Sequence, residues 1–176
     1  MQRPLAYYNN PILRKKCAPI EAITDEVRQV VEDLIDTVTA HDGAGLAAPQ
    51  IHELMRIFVI CIPEEEEEDQ KGSYHPREFI NPKLSSPSKE EWVAREGCLS
   101  IPGPVVNISR PQSITVEAIN IRGETFKKTF YGWEARAIMH ENDHLNGVLC
   151  IDRAQSQERQ EIKEALREIK NNYPQK

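Results

Sequence analysis

At 176 residues, 39% of them hydrophobic and 28% charged, the chain is long enough to bury a core in one domain without a disulfide scaffold. Its net charge of −6 argues against the basic footprint of a duplex nucleic-acid binder, so no DNA partner is expected. No apolar run approaches the ~18 residues that a bilayer span requires, so no membrane partner is expected either.

Residues 1–24 read as irregular chain broken by Pro4, Pro11 and Pro19, with room for one helical turn at Pro11-Ile12-Leu13-Arg14. Thr24 suits the cap of the helix that follows. Asp25 and Glu26 complement its positive end, and Val27, Val30, Val31, Leu34, Ile35 and Val38 recur at helical spacing, so this stripe faces the core. The helix gives out near His41-Asp42-Gly43, and a glycine-rich turn leads through Leu46 to Ile51. Arg56–Ile62 is a short, β-rich apolar run that suits a buried strand. Residues 63–74 are expected to form an acidic surface loop around five consecutive glutamates, whose mutual repulsion favours solvation.

Strands are expected at 78–84, 91–95, 105–110, 113–121 and 125–131, and Arg122-Gly123 turns the last pair. Prolines at 82, 87, 102, 104 and 111 should keep these strands short or at sheet edges. Two helices close the chain: 133–145, stopped by Asn146-Gly147, and 154–173, apolar at Ile162, Leu166, Ile169 and Tyr173. Residues 1–176 are therefore expected to form a single α+β domain. Its short, mostly antiparallel β-sheets pack around a central helix, with an amphipathic helix near the N-terminus and another helix at the C-terminus. Four cysteines at irregular spacing, without a C-x-x-C pair, read as reduced thiols. With no signal or transit segment legible, the expected compartment is the cytoplasm.

His140-Glu141-Asn142-Asp143-His144 matches H-E-x-x-H within the first closing helix. Residues four apart share one helix face, so both imidazoles can reach a single cation, with Glu141 beside it to take a proton from bound water. Ala135, Ile138, Met139 and Leu145 form a separate apolar stripe, so this helix is central and turns its polar stripe to an internal site. A third ligand is needed. Glu164 stands 20 residues beyond His144, a spacing like that of some zinc endopeptidases, but its helix is rich in charge pairs that a solvated face explains. Cys98, in Glu96-Gly97-Cys98-Leu99-Ser100, sits in a tight turn away from any apolar stripe and is the stronger candidate. Cys17, Cys61 and Cys150 read as small buried hydrophobes.

A third segment, Gly43-Ala44-Gly45-Leu46-Ala47-Ala48-Pro49-Gln50, lacks the third glycine and the Lys-Ser/Thr pair of a phosphate loop, but its glycines permit close backbone approach. The Gln50 amide suits either of two tasks: donating an N–H to a developing oxyanion, or satisfying a neighbouring backbone group. The sequence leaves both open.

Taken in order, these segments resemble the signatures of the peptide deformylase family: G-x-G-x-A-A-x-Q at 43–50, E-G-C-x-S at 96–100 and H-E-x-x-H at 140–144. The similarity extends over nearly the whole chain. It departs only away from the motifs: His52 stands where glycine is common, and the 64–69 run is unusually acidic. The resemblance implies a metal-dependent hydrolase that removes the N-formyl group from the formyl-methionine of newly made polypeptides, releasing formate. It assigns Cys98, His140 and His144 to one divalent metal ion per chain and Glu141 to proton transfer. It assigns Gln50 and the Leu99 backbone N–H to the substrate carbonyl oxygen, and Gly45 matches a position whose backbone contacts substrate.

A thiolate ligand suits Fe²⁺, the expected ion, with Ni²⁺, Co²⁺ or Zn²⁺ as substitutes, and metal-bound hydroxide is then expected to attack the formyl carbon. Trp133 and Ala137 share the face of His140. With Ala44 and Leu46 they are expected to line the methionine pocket. The resemblance also implies a Glu96–Arg110 pair that stiffens the Cys98 turn. The implied partners are N-formyl-methionyl nascent peptides and, through the charge-alternating C-terminal helix, the ribosome; a solvated face explains that helix equally well. The rival reading is a zinc endopeptidase using Glu164.

Overall fold

The computed structural model describes residues 1–62 and 76–174, so the expected acidic loop at 63–74 lies outside the described residues. In chain order the elements are α1 (Asp25–Ala40), β1 (Gly45–Ala47), β2 (Ile57–Ile60), β3 (Arg77–Ser85), β4 (Glu91–Cys98), β5 (Ile101–Pro111), β6 (Ser113–Ile119), β7 (Thr125–Tyr131) and α2 (Gly132–His144). Three short helices follow: α3 (Cys150–Arg153), α4 (Ser156–Glu161) and α5 (Lys163–Asn172). One-turn 3-10 segments occupy Pro11–Arg14 and Ala48–Ile51.

Thr24 caps α1 as the sequence suggests, its side chain accepting from the Val27 N–H at 3.3 Å, and Asp25 and Glu26 fill the first turn. The valine stripe of α1 packs on one face of a five-stranded antiparallel sheet ordered β1-β2-β3-β6-β7. Strand β2 shows why its sequence is apolar throughout. Ile57 and Val59 join Val31, Leu34 and Val38 on the α1 face, while Phe58 and Ile60 join Ala135 and Ile138 of α2 on the other. Strand β3 bends at Pro82, where its register with β6 shifts between Ile80 and Lys83. Asn81 takes a φ of 51° there, and its carboxamide bonds the Ile20 N–H at 2.8 Å and the Ile20 carbonyl at 2.7 Å.

Strands β4 and β5 form a separate antiparallel pair whose register runs from Glu91↔Pro111 to Cys98↔Ile101, leaving Leu99-Ser100 as a two-residue turn. The expected strands stopped at Arg95 and began at Val105; the observed ones continue to the turn. Pro102 and Pro104 lack an N–H, but among the described residues β5 pairs only with β4 and its other edge tolerates them.

The expected single helix at 154–173 is corrected by the structure. Helix α3 precedes it, its end held by the Asp152 carboxylate accepting the Leu149 N–H at 2.8 Å, and Ala154 is extended. Helices α4 and α5 then divide at Ile162, whose ψ is 0°. Helix α4 buries no side chain and is tied to β5 by Glu158, which accepts from Asn107, whereas α5 sets Ile169 among Ile101, Val106, Ile108 and Ile151. The mixed, antiparallel fold around α2 is the one expected. Among the described residues no helix is long and apolar enough to cross a membrane.

Candidate metal centre

Helix α2 and the β4–β5 turn meet at one point. His140 and His144 are a helical turn apart with ring centres separated by 5.1 Å, and Cys98 Sγ lies 3.3 Å from His144 Nε2. Glu96 and Cys98 stand two apart on β4, so alternation sends both side chains to the face that meets α2. One ligand atom from each of Cys98, His140 and His144 lies within 4.8 Å of the others; among the described residues no other group of three such side chains converges in this way. One thiolate with two imidazoles is a donor set for a first-row divalent cation with some affinity for sulfur.

Glu96 orients that set. Its Oε2 lies 2.9 Å from His140 Nδ1, which places the ring proton there and leaves Nε2 as the donor atom for a cation. Arg110 grips both Glu96 oxygens, Nε to Oε1 at 2.6 Å and Nη2 to Oε2 at 2.9 Å, and Arg136 Nη1 donates to Oε1 at 2.7 Å. Burial alone would raise the Glu96 pKa, but Arg110 and His140 hold it well below the ordinary carboxylate range. The expected Glu96–Arg110 pair is therefore present. It continues through Arg110 Nη1 to Asp143 Oδ2 at 2.9 Å, and Arg153 clasps both Asp143 oxygens at 2.6 Å.

Burial opposes charge on His140, yet the Glu96 hydrogen bond and nearby acidic groups raise its pKa to about 9, so a cation arriving at Nε2 competes with a proton. Burial, then the charge at His140, keeps His144 well below its ordinary value and neutral. Burial pushes Glu141 up to about 7, and its Oε2 is enclosed without a hydrogen-bond partner. A carboxyl group poised near neutrality with a free oxygen can accept and return a proton. Gly45 makes room for it: a Cβ there would come 2.8 Å from Glu141 Oε1.

Gln50 satisfies a neighbouring backbone group, one of the two tasks that the sequence leaves open. Its Oε1 accepts the Ala47 N–H at 2.8 Å, which directs Nε2 toward Ser100 Oγ at 3.1 Å and Cys98 Sγ at 3.6 Å. A cleft of about 510 Å³ opens at this centre, lined in part by Ala44, Gly45, Gln50, Leu99 and Ala137. Trp133 stands at its rim, 55% exposed and edge-on to Trp92 with ring centres 4.7 Å apart.

Leu46 does not line the cleft. Alternation along β1 turns Gly45 toward Glu141 and sends Leu46 to the opposite face, fully buried against α1. Glu164 is likewise absent from the centre; its side chain is 84% exposed on α5, with Arg167 at 3.7 Å. The rival third ligand is thereby removed.

Other residues at the centre escape the sequence reading. Arg136 lies one turn before His140 on the same helix face, so helical spacing would have found it. Tyr7 and Tyr173, stacked with ring centres 3.7 Å apart on the cleft wall, come from opposite ends of the chain, and no local pattern joins them.

Known proteins resemble this chain in sequence and in fold. The polypeptide deformylase family model matches residues 2–160. A peptide deformylase of Pseudothermotoga lettingae is 39% identical over 169 residues, 96% of this chain and 92% of the relative. Another, from Rickettsia akari, is 35% identical over 160 residues, 91% of each chain. Among solved structures, Thermotoga maritima peptide deformylase superposes with a TM-score of 0.79 at 36% identity, covering 88% of this chain and 99% of its own. The Ehrlichia chaffeensis peptide deformylase complex with actinonin gives 0.87 at 32% identity, covering 99% of both. With its fold and nearly its whole length matched, the chain belongs to the polypeptide deformylase family.

Proposed function

We propose that this chain hydrolyses the N-formyl group from the formyl-methionine of newly made polypeptides, releasing formate. The observation that carries this reading is the unpartnered Glu141 Oε2 beside the converging Cys98, His140 and His144, at the head of an open cleft. Cys98, His140 and His144 would hold one divalent ion, Fe²⁺ by preference for a thiolate-containing set, with Ni²⁺, Co²⁺ or Zn²⁺ as substitutes. Such an ion supplies Lewis acidity and acidifies water.

The protein does the rest. Glu141 takes the proton of the attacking water at its free oxygen and passes it to the departing amine nitrogen. The Gln50 amide and the Leu99 backbone N–H donate to the carbonyl oxygen as it gains charge. Gly45 brings its backbone to the substrate where a side chain would strike Glu141. Ala137, Ala44 and, at the rim, Trp133 offer the methionine side chain an apolar wall. This substrate is found where polypeptides are made, which agrees with reduced thiols and a cytoplasmic setting.

Anaerobic incubation with formyl-Met-Ala tests the reading: formate release by the metal-loaded chain, lost in Glu141→Gln with metal retained, supports it. Cleavage of the peptide bond with the formyl group intact would replace it with the endopeptidase class.

A further inference from the structure

The family model ends its match at residue 160, yet a residue beyond it helps to wall the cleft. Tyr173, just after α5, stacks on Tyr7 with ring centres 3.7 Å apart and planes 23° from parallel. Near the end of α5, Lys170 Nζ stands over the Tyr8 ring, 5.5 Å from its centre, so two aromatic contacts dock α5 on this segment. Residues 6–8 are in turn stitched to the centre. The Ala6 N–H donates to the Gln50 carbonyl at 2.8 Å, and the Tyr8 N–H donates to the Ser100 carbonyl at 2.8 Å. Tyr7 is therefore bracketed by the segments that carry Gln50 and Leu99, and Tyr173 is held against it.

The cleft that Cys98, His140 and Glu141 line is lined as well by Leu5, Tyr7, Pro102 and Tyr173. At about 510 Å³ it falls within the range of clefts that enclose a whole drug-sized molecule, so it holds more of a peptide than one formyl-methionine. Tyr173 is stacked on one side and still 40% exposed, so part of its ring is open to a ligand.

We propose that the Tyr7–Tyr173 pair receives an apolar or aromatic side chain from the polypeptide downstream of its formyl-methionine, which makes the segment after α5 part of substrate recognition. This deepens the function proposed above and rests on it. With the formyl group beside Glu141, the residues that follow must leave through the remainder of the same cleft, so continuity names the occupant. The chemistry follows from the walls. Two phenol rings, Leu5 and Pro102 offer ring faces, ring edges and aliphatic surface, which reward burial of another apolar group.

Three peptides test it: formyl-Met-Ala-Ala, formyl-Met-Phe-Ala and formyl-Met-Ala-Phe, compared by formate release from the metal-loaded full chain. At least one phenylalanine peptide should exceed formyl-Met-Ala-Ala in kcat/KM by roughly two- to tenfold, the worth of one aromatic contact. Tyr173→Ala and Tyr7→Ala should bring that ratio near one. Tyr173→Phe should keep it, because the ring and not the hydroxyl makes the contact. A merely structural role would depress all three peptides alike and leave the ratio untouched.

Calorimetric titration of the same peptides into the Zn²⁺-loaded Glu141→Gln chain, with and without Tyr173→Ala, reads the preference without turnover. Formate release with no phenylalanine preference would overturn the role of the pair and leave the function standing, as would a preference that survives in both alanine variants. Selective binding that depends on Tyr173, in a chain whose wild type releases no formate, would overturn the function and leave the role of the pair standing.

Discussion

Gly45 and Glu141 share a space that admits only one side chain. A methyl group on Gly45 would press the Glu141 carboxylate at 2.8 Å, so Gly45→Ala must move that carboxylate or the β1 backbone. Displacements of about 1 Å at reacting groups cost up to 10²-fold, so kcat for formate release should fall by at least about tenfold with metal content unchanged. Wild-type turnover in this variant would remove Glu141 from proton transfer. In the proposed function Gln50 donates through its Nε2, which the Ala47 N–H holds in place by bonding Oε1. Deleting one such donor typically costs ~3 kcal/mol, so Gln50→Ala should lower kcat by about two to three decades with the metal still bound. At this scale H-E-x-x-H was legible because helix geometry fixes what residues four apart do. The place of Leu46 was not, because a three-residue strand offers too little alternation to show which face is which.

Elements carry the second level. The β4–β5 turn was visible in Glu96–Ser100, but its strand lengths were not, since the prolines that shorten a central strand are harmless on an edge. Helix α3 was hidden because its brevity leaves no period to read. It is held instead by a side chain: Asp152 accepts from the Leu149 N–H and pairs with Arg14 from the N-terminal 3-10 turn. Burial raises the Asp152 pKa, but the Arg14 hydrogen bond and the Leu149 N–H lower it further, so the net shift is downward. A folded-state pKa below the unfolded one adds stability above the unfolded value, and this stability is lost as pH falls through the folded value. Asp152→Asn should therefore lower stability at neutral pH, and the gap from wild type should close once pH drops below the ~3.9 of a free aspartate. Urea melts at neutral and acidic pH check this. A gap that stays constant would mean that the carboxylate charge is not what holds α3.

Across the whole molecule, one run of charge, buried but for its Arg153 end, ties four elements to the centre. Arg153 of α3 holds Asp143 of α2, Asp143 holds Arg110 of β5, and Arg110 holds Glu96 of β4, which orients His140. Breaking such a run by removing one member typically costs 3–5 kcal/mol, because its partners are left short of compensation in a dry interior. Arg110→Met should lower stability by about that much and weaken metal affinity roughly 10–100-fold through the loosened His140. Denaturant melts and chelator competition measure the two effects separately, and metal affinity equal to wild type would disconnect the run from the centre. The central helix and its apolar stripe were legible in the sequence. The charge run was not, because Glu96, Arg110, Asp143 and Arg153 look like surface residues until the fold closes over the first three.

The account turns on a sulfur and two ring nitrogens holding one ion. X-ray absorption at the metal edge, on anaerobically prepared protein, tests this most directly. The expected spectrum shows one sulfur and two imidazole nitrogens around the ion, with the metal lost in Cys98→Ala and retained in Glu164→Ala. A bound ion without a sulfur neighbour, or full metal content in Cys98→Ala, would contradict it.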